Sequence, residues 1–190
     1  MPDSLGHRLK IGVIVPSTNT VVQPEFAAMQ PAGVTNHVSR IAIPDVKLGS
    51  DNDFIAHIER MRAGIDEAIE RVMTCHPDYI VNALSLEAFW EGLQGSLDML
   101  ERLEKKFSTK ISMGNNAILA ALKKVGGIKK IALITPHKPL GDERVRRFFS
   151  EAGYDITDLH SFNVNMPAEI CHVGADTMRD ATLRVNASNP

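Results

Sequence analysis

The chain has 190 residues, of which 44% are hydrophobic, 23% charged and 5% aromatic, an apolar content too high for intrinsic disorder. Its formal charge of −2 comes from 21 basic and 23 acidic residues with no long block of one sign, which argues against a nucleic-acid surface or a polybasic membrane anchor. Apolar runs such as Ala117 to Leu122 fall far short of the roughly 20 residues that span a bilayer. The opening MPDSLGHRLK has no apolar segment and does not read as a secretory signal. Cys75 and Cys171 are isolated and lack metal-ligand spacing, so neither a disulfide scaffold nor a metal centre is expected. The expectation is a cytoplasmic protein, without a membrane or nucleic-acid partner.

Strand and helix patterns alternate along the chain. Ile11 to Val15 form a continuous apolar run closed by Pro16, the pattern of a strand buried on both faces. A second strand is expected within residues 34–42. Ser50-Asp51-Asn52-Asp53 supply helix caps, and Phe54, Ile58, Met61, Ile65, Ile69 and Val72 recur at helical spacing, with His57 at the rim of their stripe. Tyr79 to Val81 read as a third strand. A helix follows over residues 93–107, with Leu97, Leu100 and Leu103 on one side. A short strand at residues 110–112 precedes a helix capped by Asn115 or Asn116 and ended by Gly126-Gly127.

The pattern then restarts. Lys130-Ile131-Ala132-Leu133-Ile134-Thr135-Pro136-His137 echoes Lys10-Ile11-Gly12-Val13-Ile14-Val15-Pro16-Ser17. A helix carrying Val145, Phe148 and Phe149 follows and stops at Gly153; then come a strand within residues 154–164 and a last helix over residues 175–185. Alternating elements predict an α/β fold of doubly wound, mostly parallel sheets, with ligands bound outside the carboxyl ends of the strands. The repeat predicts two similar halves, residues 1–113 and 114–190. Carrying the spacing of the first half into the second puts its third strand past Pro190, so the second half is expected to be incomplete, and unpaired sheet edges favour a homo-oligomer.

The residues just after the strands are the chemical candidates. Ser17, Thr18 and Asn19 combine hydroxyls and an amide with a helix start; they either bind an anion or merely cap and turn the chain. No glycine-rich phosphate loop is present, which argues against a dinucleotide or ATP site. Ser85 offers a hydroxyl and a backbone N–H to a developing oxyanion. Glu87 is either a base or a first-turn acid complementing the helix dipole. Trp90 either lines a pocket or packs. His137 places an imidazole at the mouth of a strand, suited to proton transfer near neutrality. Cys75 falls at the opposite end of its strand, and Cys171 is either a loop residue or a reactive thiol.

Three segments, VPSTNT, DYIVNALSLEAFW and above all NNAILAALKKVGGIKKIALITPHKPL, resemble the maleate cis-trans isomerase and arylmalonate decarboxylase branch of the Asp/Glu racemase superfamily. The resemblance implies two flavodoxin-like halves facing a central cleft and a cofactor-independent reaction on a small dicarboxylate. It makes Asn19 a carboxylate-binding amide and Ser85 a binder of carboxylate or enediolate oxygens. Leu84 falls on the first catalytic position, often Cys in the family, and His137 on a position usually occupied by Tyr. Asn165 matches a second substrate-binding Asn, unless the alignment slides to Asn163. Leucine can neither take a proton nor attack a double bond, so a two-cysteine mechanism is not expected. The functional expectation is an isomerase or decarboxylase working through an enolate-type intermediate, with His137 and Ser85 as catalytic groups and Ser17, Thr18, Asn19, Leu84 and Asn165 around the substrate. The alternative is a non-catalytic small-carboxylate-binding protein of the same fold.

Overall fold

A computed structural model describes residues 3–188. The elements run β1 (Leu9–Pro16), α1 (Val22–Ala28), β2 (Val34–Ile41), α2 (Asp51–Met73), β3 (Tyr79–Asn82), α3 (Leu86–Phe89), α4 (Gly92–Phe107) and β4 (Ile111–Met113). They continue with α5 (Gly114–Val125), β5 (Lys130–Thr135), α6 (Pro139–Glu151), β6 (Asp155–Ser161), a 3₁₀ turn (Pro167–His172) and α7 (Ala175–Asn186). The first sheet has the strand order β2-β1-β3-β4 and is parallel throughout, which is the flavodoxin-like winding. The second sheet pairs β5 and β6, again in parallel, with an irregularity in register after Ile131.

The central strand explains the opening run of the sequence. Val13, Ile14 and Val15 are fully buried in β1, which has a strand on each side and α2 packed against it. Helix α2 begins with the expected cap: Ser50 Oγ accepts from Asp53 N, and the Asp53 carboxylate accepts from Ser50 N. Its apolar stripe then packs across β1 and β2. Gly12 permits that close approach, since a Cβ there would lie 2.6 Å from Ile80 Cδ1 and 3.0 Å from Val72 Cγ1. The second half repeats the arrangement, with α7 against β5 and β6 as α2 lies against β1 and β2.

Two cores result. One lies beneath the first sheet, around Ile14, Ile41, Ile65, Ile69, Ile80 and Met113. The other joins the halves: Phe54, Ile58, Leu86 and Phe89 of the first meet Val145, Phe148 and Phe149 of the second. Phe89 and Phe148 meet edge to face with ring centroids 4.9 Å apart, and Phe148 and Phe149 do so at 5.3 Å.

One local expectation is corrected. Asn115 does not cap α5; its side chain is buried and donates to Ala88 O at 3.0 Å and to Ser96 Oγ, while Met113 occupies the cap position. Of the leucines on α4, only Leu103 is fully buried, and Leu97 is exposed. No described helix is long and apolar enough to cross a membrane.

Candidate active site

The carboxyl ends of β1, β3 and β5 converge on one cavity of about 240 Å³. Thr18 and Asn19 reach it from the loop after β1, Leu84 and Ser85 from the loop after β3, and His137 and Lys138 from the loop after β5. Its size is below the range of about 300–1,000 Å³ typical of sites for drug-sized ligands, which suits a compact acid. Of the described lining residues, Lys138 alone carries a permanent positive charge.

The β1 loop is held rigidly. Asn19 Oδ1 accepts from Val21 N at 3.0 Å and Val22 N at 2.9 Å, which satisfies donors at the start of α1. What this amide can offer an incoming carboxylate is therefore its Nδ2 donor. Arg40 braces the same loop, donating from Nη1 to Asn19 O at 2.8 Å and from Nη2 to Gln23 Oε1 at 2.9 Å. The turn-holding role set against ligand binding in the sequence is thus observed, and it leaves the Nδ2 donor uncommitted among the described residues.

Ser17 and Asn165 lie outside the cavity wall. Ser17 Oγ donates to Ile43 O at 3.1 Å and accepts from Ile43 N at 3.0 Å, so its hydroxyl is used in joining β1 to the segment after β2. Asn165 is exposed, and its Oδ1 accepts from Lys138 Nζ at 2.7 Å. It reaches the cavity only through that lysine. Asn163, the alternative, is also exposed and adopts a positive φ of 49° in the turn after β6.

Ser85 precedes α3 and makes no capping bond with its side chain, which leaves the hydroxyl free for a ligand. His137 is 8% exposed, and burial lowers its pKa to about 4. The ring is therefore neutral at physiological pH and keeps one N–H donor and one acceptor nitrogen. Its position is fixed by Ser161 Oγ, which donates to His137 O at 2.5 Å, and by Gly141. A Cβ on Gly141 would lie 2.8 Å from His137 Cβ and 3.0 Å from Phe54 Cζ.

Two further ionisable residues, His57 and Glu87, line the cavity. His57 projects from α2 and is 9% exposed; its Nδ1 is buried without a partner, and burial, followed by the Arg60 charge, lowers its pKa. Its position three residues after Phe54 and four before Met61, on the buried stripe, was the available signal. Glu87 is 5% exposed, and its pKa is raised to about 7, chiefly by burial. A lone acid within the apolar run Leu86-Glu87-Ala88-Phe89-Trp90 was the corresponding cue.

Trp90 packs outside the wall, 6.1 Å from the Phe54 ring centroid, with the Arg144 guanidinium carbon 5.0 Å from its own. Cys171 also lies outside the wall, although its neighbour Ile170 is part of it. Cys75 Sγ donates to Val72 O at 3.1 Å at the far end of the sheet.

The arylmalonate decarboxylase family profile matches residues 11–190. The chain belongs to the arylmalonate decarboxylase family. Its fold is similar to that of the Nocardia farcinica maleate cis-trans isomerase bound to TRIS, with a TM-score of 0.81 at 18% identity over 93% of this chain and 72% of that one. A Pseudomonas putida maleate isomerase variant with maleate gives a TM-score of 0.80 at 19% identity, covering 92% and 72%. A liganded double mutant of arylmalonate decarboxylase gives 0.79 at 18%, covering 95% and 73%. Among curated proteins, none matches the sequence. Membership places the chain in the Asp/Glu racemase superfamily, and the shared architecture is two doubly wound α/β halves around a cleft; among the described residues the second sheet has two strands where the first has four.

Proposed function

We propose that this protein is a cofactor-independent isomerase or decarboxylase of a small dicarboxylate, maleate-like or malonate-like, working through an enolate-type intermediate. The observation that carries the reading is the convergence of Thr18, Asn19, Ser85, His137 and Lys138 on one small cavity. Lys138 attracts the dianion, and Asn19 Nδ2 and Thr18 donate to one carboxylate. The Ser85 hydroxyl and the neutral His137 ring donate to the oxygens on which charge accumulates as the enolate forms. Leu84 contributes an apolar wall where the resemblance anticipates a thiol.

The division into halves at residues 113 and 114 belongs to the same reading. Leu119 and Leu122 of α5 pack, like Ile131 and Leu133 of β5, against the cluster that joins the halves. Two free cysteines are in keeping with a reducing, cytoplasmic location. The edge of β5 that pairs with no described strand supports a homo-oligomer.

Isothermal titration of the wild type and Asn19→Ala with maleate and malonate tests the site. Binding to the wild type and weaker binding to the variant is the expected result; equal affinities remove Asn19 from it. A second reading, a carboxylate-binding protein without catalysis, is favoured by Leu84 and by the absence of a thiol among the described wall residues. Binding of either diacid with no product from it would decide for that alternative.

A further inference from the structure

One acid in the cavity has no role in the scheme above. Glu87 follows Ser85 by two residues, so the chain that presents the oxyanion donor also places Glu87 in the wall of the same cavity. It forms no ion pair among the described residues. Its carboxylate takes a hydrogen bond from its own backbone N–H, and the cation that acts on it, Arg62, is engaged by Glu91 Oε1 at 2.9 Å.

The elements packed against α3 do not neutralise it. Helix α2 brings His57 and Arg62, and α4 is preceded by Glu91, which is already paired. Helix α5 brings the amide Asn115, which bonds to Ala88 O. Helix α6 brings Arg144, whose guanidinium lies over Trp90, and the loop before α6 brings His137 and Lys138. A buried carboxyl group without a counter-ion keeps its proton, and an entering dianion strengthens that tendency by like-charge repulsion.

We propose that Glu87 is the proton donor of this cavity, delivering its carboxyl proton to the α-carbon of the enolate left when a malonate-type substrate loses carbon dioxide. This rests on the proposed function and narrows it to the decarboxylase branch. The bond from the α-carbon to one carboxylate breaks, carbon dioxide leaves, and the electron pair stays on the substrate as the enolate. The Glu87 O–H bond then breaks, its proton forms the new C–H bond, and solvent water returns a proton to the carboxylate. Cis-trans isomerisation of maleate instead needs a nucleophile that adds to the double bond and leaves again. A neutral carboxylic acid flanked by an apolar Leu84 is better matched to proton delivery.

The test compares the wild type, Glu87→Gln and Glu87→Asp on phenylmalonate in deuterium oxide, with malonate binding measured in parallel. The wild type is expected to release carbon dioxide, to place one deuterium on the α-carbon, and to lose kcat/KM as the pH rises through about 7. Glu87→Gln is expected to lose about 100-fold or more in kcat while keeping its malonate affinity. Glu87→Asp is expected to recover part of the rate with a displaced pH profile, which a purely structural role would not produce. Unchanged kcat and an unchanged pH profile in Glu87→Gln, with malonate still bound, would overturn the assignment and leave the cavity reading intact. Failure of the wild type to bind malonate would remove both. Should Glu87→Gln not fold, a wild-type profile flat between pH 5 and 9, measured about two units either side of the Glu87 midpoint, would by itself overturn the assignment.

Discussion

Thr20 donates its backbone N–H to Cys171 Sγ at 3.3 Å, and this contact ties the loop after β1 to the 3₁₀ turn of the second half. Two neighbouring bonds reinforce it, Leu48 N to Asn165 O at 2.8 Å and Ala168 N to Asp45 Oδ1 at 3.1 Å. Attaching a bulky maleimide to Cys171 should force these loops apart. In a Cys75→Ser background we expect the label to weaken malonate binding, measured by titration calorimetry. The same label on Cys75 in a Cys171→Ser background should leave it unchanged, since that thiol lies at the other end of the sheet.

Glu87 and His137 oppose one another in their effect on stability. Glu87 has its folded pKa raised to about 7, so the native state holds an extra proton above the ordinary Glu range, and this contribution declines as the pH rises toward 7. His137 has its folded pKa lowered to about 4, so its contribution is lost as the pH falls through the interval between its ordinary value and 4. Each effect is on the order of 3 kcal/mol at full extent. Between about pH 4.5 and 6.5 the two slopes largely cancel. Denaturant melts across this interval should show Glu87→Gln becoming more stable relative to wild type as the pH rises, and His137→Gln becoming less so.

Gly141→Ala should disturb the site from a position that touches no ligand. The added methyl meets His137, Phe54 and Leu86 at once, none of which can move without disturbing the cavity or the aromatic seam. A loss of about 1–3 kcal/mol in chemical denaturation is expected, together with weaker malonate binding.

Asn82 is fully buried at the end of β3, and neither its Oδ1 nor its Nδ2 has a partner among the described residues. Replacing an unsatisfied amide by an apolar group of similar shape removes a desolvation penalty of about 1–3 kcal/mol. Asn82→Leu is therefore expected to raise the melting temperature, and a fall would show that the amide is satisfied in solution.

Much of the architecture was legible because it depends on short-range patterns. The apolar run at Val13 to Val15 required a strand covered on both faces, and Ser50 with Asp53 fixed the start of α2. The eight-residue echo at Lys130 disclosed the second half. Contacts between distant segments were less legible: the spacing of Leu97, Leu100 and Leu103 does not tell which of them becomes fully buried. Asn115 reads as a cap by residue type, yet the buried Ser96 and Ala88 claim its side chain. The same limit applies at the site. Asn19, Ser85 and His137 could be picked out by position after strands, whereas Ser17 has its hydroxyl engaged by Ile43, a partner known only once the sheet edge is formed. Glu87 needed burial to distinguish it from an ordinary first-turn acid.

The seam of Phe89, Phe148 and Phe149 has a mechanical consequence. Phe89 of the first half, set edge to face on Phe148 and tilted against Phe149 of the second, resists sliding, so neither half should melt while the other stays native; a single calorimetric transition is the corresponding signature. Behind such a bolt the pocket walls are carried on one cooperative frame, so a single lining side chain such as Leu84 can be replaced without unseating the rest.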